Sequence, residues 1–237
     1  MKDSTLQIVE RFWAHDLGLD TDGFDRTEIL CSVQTLYNGV QMFRRAGQLV
    51  VAVPASQQER VQSSMVGCSV DEVFSASWLK SALGKHATKI LGPADAYYAD
   101  ETTFRSPDSS VARELQEEDS VACRQLQGSL SATEAEDSGF RFDVFPSFGV
   151  FSGSMLCAAA NYSLWKPSIA HIIVATHPEY RRRGFAKAAI GALAQHALKR
   201  ELILQWSAVA WNVNSLALAR VLGFEYYCTR IFARLRS

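Results

Sequence analysis

No stretch of this chain approaches the roughly 18 uncharged apolar residues that a membrane-spanning helix needs, and the start, Met1-Lys2-Asp3-Ser4, has no signal-peptide core. A cytoplasmic protein without membrane partners is therefore expected. Cysteine is scarce and scattered: Cys31, Cys68, Cys123, Cys157 and Cys228 are odd in number and never spaced as CxxC. That excludes a disulfide framework and a zinc cluster of the usual spacing. His171 and His177 lie six apart with no third ligand at helical or turn spacing, so no metal is expected. Net charge is nearly absent, at -1, and neither repeats nor low-complexity tracts occur.

What is present is a core-forming composition, 48% hydrophobic over 237 residues, enough for one large domain or two small ones. The small net charge hides a polarised chain. Residues 161–237 hold 11 Lys and Arg against Glu179, Glu201 and Glu225, net +8, whereas residues 1–160 carry 13 basic and 22 acidic side chains, net -9. Positive potential concentrated in this way suits an anionic ligand.

The spacing of Leu6, Val9, Phe12, Trp13 and Leu17 predicts an amphipathic helix over 4–18, broken by Asp20-Thr21-Asp22-Gly23. Val40–Phe43 and Gln48–Val53 read as a hairpin about Arg44-Arg45-Ala46-Gly47. Ser69-Val70-Asp71-Glu72 fits a capping box opening a helix to about Gly84, and Lys89–Leu91 reads as a short strand halted by Gly92-Pro93. The polar segment 102–110 marks the expected boundary between an α+β region, 1–105, and a second domain, 106–237. Beyond it, helices are expected over 111–127 and 133–137, and strands over 147–151, 155–164 and 169–176. A helix over 184–200, a strand over 202–209, a helix over 214–222 and a strand pair ending at Leu235 complete the pattern.

The chemistry concentrates in Val174-Ala175-Thr176-His177-Pro178-Glu179-Tyr180-Arg181-Arg182-Arg183-Gly184-Phe185-Ala186, a strand running through a basic turn into a small-residue helix. Such a turn is a phosphate cradle. Gly184 and Ala186 let a diphosphate approach the backbone, and the first-turn amides of a helix have no internal acceptor. The helix dipole contributes about 0.3–1 kcal/mol and each charge-assisted hydrogen bond roughly 1.5–3 kcal/mol. A solvated charge run or a nucleic-acid patch are the rival readings of the three arginines. The Gly-opened helix and the lack of interleaved aromatics favour phosphate, and no nucleic-acid partner is expected.

Arg181-x-x-Gly184-x-Ala186 after a strand resembles the acyl-CoA-binding motif of the GNAT superfamily of N-acetyltransferases. Asn212-x-x-Ser215-x-x-Leu218-Ala219-x-x-x-Gly223-Phe224 is similar to that superfamily's second signature, and the resemblance covers about residues 110–237. It implies an α/β (α+β) fold with a mixed, mostly antiparallel sheet flanked by helices, beside a smaller N-terminal α+β domain that is either a degenerate half of the same kind or a lid. It also implies acetyl-CoA as acyl donor. On this resemblance Val174, Ala175 and Thr176 meet the pantetheine arm, Arg181, Arg182, Arg183, Gly184, Phe185, Ala186 and Lys187 hold the diphosphate, and Asn212 and Ser215 line the far wall.

The implied reaction is acetyl transfer to a primary amine by direct attack in a ternary complex. A lysine-like amine must first lose a proton, about 4–5 kcal/mol uphill at pH 7, so a general base helps. The family's strand carboxylate is missing from Ser168-Ile169-Ala170-His171-Ile172; His171 is the nearest titratable group, with a core role as its rival reading. The family's tyrosine, general acid for the thiolate, is replaced by Ala219, leaving Tyr226, Tyr227 or water. Two alternatives stay open: a catalytically impaired CoA-binding sensor or partner-binding module, and a transferase for a longer acyl group, decided by pocket depth near Val174 and Trp206. The acidic residues of 114–119 and 134–137 could select a cationic amine or form a wet helix face. The acceptor is a small molecule or a peptide amine, and a homodimer is allowed for.

Overall fold

A computed structural model describes residues 1–20, 24, 29–141, 143, 144, 146–165 and 167–236, without the side chain of residue 137. The expected helix stop at Asp20–Gly23 lies outside the described residues from position 21 on. In chain order the elements are α1 (Asp3–Asp16), β1 (Ile29–Val33), β2 (Gly39–Arg45), β3 (Gln48–Val53), α2 (Gln58–Met65), α3 (Val70–Val73), α4 (Ala76–Leu83), β4 (Ala87–Ala99), β5 (Ala112–Glu114), α5 (Ser120–Gly128), α6 (Ala132–Ser138), β6 (Ser147–Ser152), β7 (Met155–Trp165), β8 (Ile169–Thr176), α7 (Phe185–Leu198), β9 (Ile203–Val209), α8 (Val213–Val221) and β10 (Glu225–Leu235). The sheets are mixed and mostly antiparallel, flanked by helices, as the motif resemblance implied.

Two compact units form, and neither is contiguous. One holds residues 3–96, 209–212 and 226–237; the other holds 1–2, 97–208 and 213–225. The division therefore differs from the expected boundary between 105 and 106, because β4 passes from one unit to the other at Tyr97 and β10, from Tyr226 on, returns to the unit that holds residues 3–96.

In the first unit β3 lies between β2, to which it is antiparallel, and β1, to which it is parallel, and β2 pairs antiparallel with β10. All six residues of β3 are buried, which explains why Gln48–Val53 reads as a continuous apolar run rather than an alternation. One face packs Val40, Met42, Val51 and Ile231 against Val61 of α2 and Leu79 and Leu83 of α4. The other face receives α1, whose Trp13 lies 5.2 Å from the Phe43 ring.

The Ser69 capping box is present, with the Glu72 carboxylate 2.7 Å from the Ser69 amide, yet the helix it opens stops at Val73. Ser75 starts α4 by accepting from the Trp78 amide, so the single helix expected to Gly84 is two. The strand expected to halt at Gly92-Pro93 instead runs on to Ala99. Gly92 makes this feasible: at φ 99° it lacks the Cβ that would stand 2.6 Å from the Arg230 carbonyl oxygen.

In the second unit the strand order is β5-β6-β7-β8-β9, with only β8–β9 parallel. α7 covers one face, burying Ala188, Ala189, Leu193, Ala194 and Ala197 with Ala160, Ile172, Leu204 and Trp206. α5 covers the opposite face through Cys123 and Leu126, against Leu156, Ala159 and Ala175. The helix expected over 111–127 resolves into β5 and α5, and the final strand pair is the single strand β10.

Leu193 is fully buried, and its replacement by Ala should destabilise the fold by about 2–5 kcal/mol, read by chemical denaturation. Gly223→Ala should cost about 2 kcal/mol or more, because Gly223 sits at φ 84° and an added Cβ would lie 2.0 Å from the Thr103 carbonyl oxygen.

Candidate active site

β8, α7 and β9 form a βαβ unit. Its two parallel strands stay together only from Ile169–His171 against Ile203–Gln205. Beyond that register β8 runs on five residues and β9 four without pairing to each other. On its other edge β8 remains paired with β7 as far as Thr176, where Ala160 faces Val174, Ala159 faces Ala175 and Ala158 faces Thr176. The edge of Ile172–Thr176 that faces β9 thus presents main-chain groups with no strand beside them, a condition that calls for a hydrogen-bonding occupant.

At the point where the strands part, His171 Nδ1 meets the amide oxygen of the fully buried Gln205. Gln205 Nε2 donates to the Trp206 carbonyl at 3.1 Å, which leaves its oxygen as the acceptor for the ring. An amide oxygen facing Nδ1 favours the tautomer of a neutral imidazole that carries its proton there, with the lone pair on Nε2. The Trp165 ring stacks on His171 at 4.7 Å and 19°. By strand alternation His171 shares a face with Ile173 and Ala175, the face covered by α5, whereas Ala170, Ile172 and Val174 point to α7.

β8 ends in a turn whose geometry follows from its residues. His177 Nδ1 accepts from the Glu179 amide at 3.3 Å, Pro178 opens a short 3-10 turn, Arg182 sits at φ 60° and Gly184 at φ 85°. Left-handed residues entering a helix turn successive amides toward one point, an anion-binding concavity. The first bond into α7 is from the Ala188 amide to the Gly184 carbonyl at 3.1 Å, so the amides of Phe185, Ala186 and Lys187 precede the helical ladder. A Cβ placed on Gly184 would meet nothing within 4 Å. The space before the helix is open.

Arg181, Arg182, Arg183 and Lys187 are all exposed around that space. The Arg183 guanidinium lies over the Tyr180 ring at 5.1 Å, and Arg181 donates from Nε to the Thr176 carbonyl at 3.4 Å and pairs through Nη1 with Glu134 at 2.8 Å. That arginine and the Ser131 donors hold the Glu134 carboxyl well below its ordinary value, at about 2. α7 comes close to its neighbours because its residues are small: a Cβ on Gly191 would lie 2.9 Å from the Pro107 ring.

The remaining expected site residues scatter. Ser215 accepts from Trp206 Nε1 at 3.1 Å, a bond tying α8 to β9, and the Trp206 ring is buried in the core. Asn212 is exposed and groups with the other unit, as do Tyr226 and Tyr227. Tyr226 is exposed, its hydroxyl joined to Thr229 at 2.8 Å, which in turn donates to Asp95 at 2.7 Å. Tyr227 is buried between Phe43 and the Arg45 guanidinium, 4.4 Å above its ring, and burial pushes its phenol pKa up. A phenol so placed is a poorer acid, which speaks for a packing role. Ala219 is fully buried with Leu216 and Leu222, so no hydroxyl arises from that helix position. Gln205 was not anticipated; its only sequence signal is an amide inside an apolar strand.

A family model described as GNAT acetyltransferase matches residues 145–229, from the strand before the β7 hairpin to β10. The fold of the chain is similar to that of a GNAT-family protein from Novosphingobium aromaticivorans, at 21% identity, a TM-score of 0.52, and coverage of 64% of this chain and 67% of that one. It is likewise similar to an acetyltransferase from the GNAT family from Colwellia psychrerythraea, at 15% identity, a TM-score of 0.51, and coverage of 76% and 72%. No curated protein matches the chain. The parted strands and the Gly-opened basic turn lie within the matched segment. No described helix is long and apolar enough to cross a membrane, and no described group of His, Cys, Asp and Glu could hold a metal ion.

The pairing of Glu134 with Arg181 has a pH signature. Because the folded-state value is depressed, its stabilising contribution is complete above the ordinary 4.5 and is lost as pH falls toward 2. The amide resonances of α6 should shift through that window and hold still above it, as two-dimensional NMR on an acid titration would record.

Proposed function

We propose that the domain transfers an acetyl group from acetyl-CoA to a primary amine by direct attack within a ternary complex. The observation that carries this reading is the parting of β8 and β9 immediately before an open, basic, Gly-opened helix start. An extended arm able to hydrogen-bond with the free edge of Val174–Thr176 fits the gap, and a diphosphate fits the amides of Phe185–Lys187 beside Arg181, Arg182 and Arg183. The combination suits coenzyme A better than a bare phosphate ion, which would have no use for the strand edge.

In the reaction the amine nitrogen bonds to the thioester carbonyl carbon, and the carbonyl oxygen gathers negative charge that main-chain amides of β8 can stabilise. The carbon–sulfur bond then breaks, the thiolate takes a proton, and the nitrogen has shed one. His171 is the group we assign to that second proton. Its Nε2 lone pair is set by the bond from Nδ1 to Gln205, it lies at the point where the strands part, and no carboxylate stands on β8 to compete for the role. Water is assigned the proton delivery to sulfur, since Ala219 offers no hydroxyl and Tyr227 is buried. The five cysteines, all free, fit a reducing compartment such as the cytoplasm.

Calorimetric titration with acetyl-CoA tests the assignment. The unaltered protein should bind in the micromolar range, and Gly184→Glu, which puts a carboxylate into the open cradle, should abolish binding while leaving the circular dichroism spectrum unchanged. Absence of heat from the unaltered protein would sink the assignment. With an amine acceptor in hand, His171→Ala should lower kcat about 100-fold or more and leave the KM for acetyl-CoA in place. A fall in cofactor affinity instead would make His171 a packing residue.

A further inference from the structure

The first arginine of the cradle is already engaged. Glu134 of α6 divides its carboxylate between two tasks: Oε2 accepts from the Ser131 amide at 3.0 Å and hydroxyl at 2.9 Å, closing the capping box that begins α6, and Oε1 takes Arg181 Nη1 at 2.8 Å. Arg181 is also held by Thr176, the last residue of β8, through Nε. The guanidinium is thereby oriented, and the anion it faces belongs to the protein itself. The Arg181 and Glu134 side chains are 42% and 41% exposed, so an incoming anion can reach the pair from solvent.

Resting on the reading above that this turn takes the diphosphate of coenzyme A, we propose that Glu134 is an internal competitor for that diphosphate, occupying Arg181 in the ligand-free protein and displaced when coenzyme A binds. The consequence is a link between two elements. The ion pair from α6 to Arg181 holds only while the cradle is empty, and coenzyme A breaks it without disturbing the capping box, because the Ser131 bonds use the other carboxylate oxygen. The strongly depressed titration of Glu134 fits the same arrangement, since it reports a carboxylate held by the arginine as well as by its cap.

Glu134 is thus a residue that tunes cofactor affinity rather than one that touches the reacting atoms. An exchange of partners costs little: an exposed carboxylate–guanidinium pair shifts an equilibrium by only a few-fold, so its loss does not forbid binding, while its presence weakens it measurably.

The test is a double-mutant cycle read by calorimetry with coenzyme A as the probe. Glu134→Gln keeps the Gln-compatible capping box and removes the charge, so α6 remains formed. It should bind coenzyme A about threefold tighter than the unaltered protein at low salt, within the range an exposed ion pair can supply. The gain should vanish at about 1 M salt, where charges are screened beyond roughly 3 Å. It should also vanish in an Arg181→Ala background. An unchanged or weaker affinity in Glu134→Gln, with binding that still depends on Arg181, overturns the competitor and makes Glu134 a residue that holds Arg181 ready. Binding indifferent to Arg181, or no binding by any of the proteins, removes the cradle assignment itself and the competitor with it. A second readout needs no variant: carboxyl-detected NMR on the unaltered protein should show the Glu134 titration rise when coenzyme A is saturating, and a titration that stays depressed overturns the displacement.

Discussion

The separation of β8 from β9 beyond His171 and Gln205 is the constraint on which the rest of this domain depends. A parallel pair that abandons its ladder leaves main-chain donors and acceptors without partners on one edge, and that is tolerable only where water or a ligand reaches them. β7 holds β8 straight through Thr176, so the parting does not collapse. Gln205, buried within β9, closes the vertex through His171 and the Trp206 carbonyl, and thereby converts a structural necessity into an oriented imidazole. The small residues of α7 let that helix lie close to the sheet, which brings its open N-terminus to the end of the same strand.

Electrostatics is arranged around the same point. The strongly basic last third of the chain has its densest run at Arg181–Arg183, where the helix start adds its own positive end. The acidic segments ahead of it are less available to a cationic acceptor than their composition implies. Asp119 is held by a two-pronged pair with Arg113 at 2.7 Å and by the Gln116 amide, and Glu134 is shared between Ser131 and Arg181. Carboxylates engaged in this way order the segments around α5 and α6. Glu114, Glu117 and Glu118 remain as the exposed members of the first run.

Chain order conceals the organisation of the two units. A contiguous reading expects the polar stretch near 102–110 to separate domains, because loops that join domains are polar. Here that stretch packs inside one unit, with Pro107 and Ser109 against Gly191 and the Arg105 amide donating to the Leu222 carbonyl at 2.9 Å. The actual crossings fall between residues 2 and 3, within β4, around 209–212 and at 225–226. Strands offer no compositional signal at such crossings, since a residue buried in either unit is equally apolar.

Local chemistry was legible wherever a few neighbouring residues decide a conformation. The capping box at Ser69–Glu72, the helical stripe of α1, the apolar run of β3 and the basic, Gly-opened turn after β8 all follow from residue type and spacing, because each rests on contacts within one or two turns of chain. The motif resemblance to the GNAT superfamily belongs to the same class. What only tertiary structure decided depends on partners far away in sequence: that β4 continues through Gly92, where the Arg230 backbone leaves no room for a Cβ; that Tyr227 lies beneath Arg45; that Gln205 orients His171; and that Arg181 faces Glu134. Side chains acquire these roles by meeting across the fold, and neither periodicity nor composition carries the identity of a partner that lies tens of residues away.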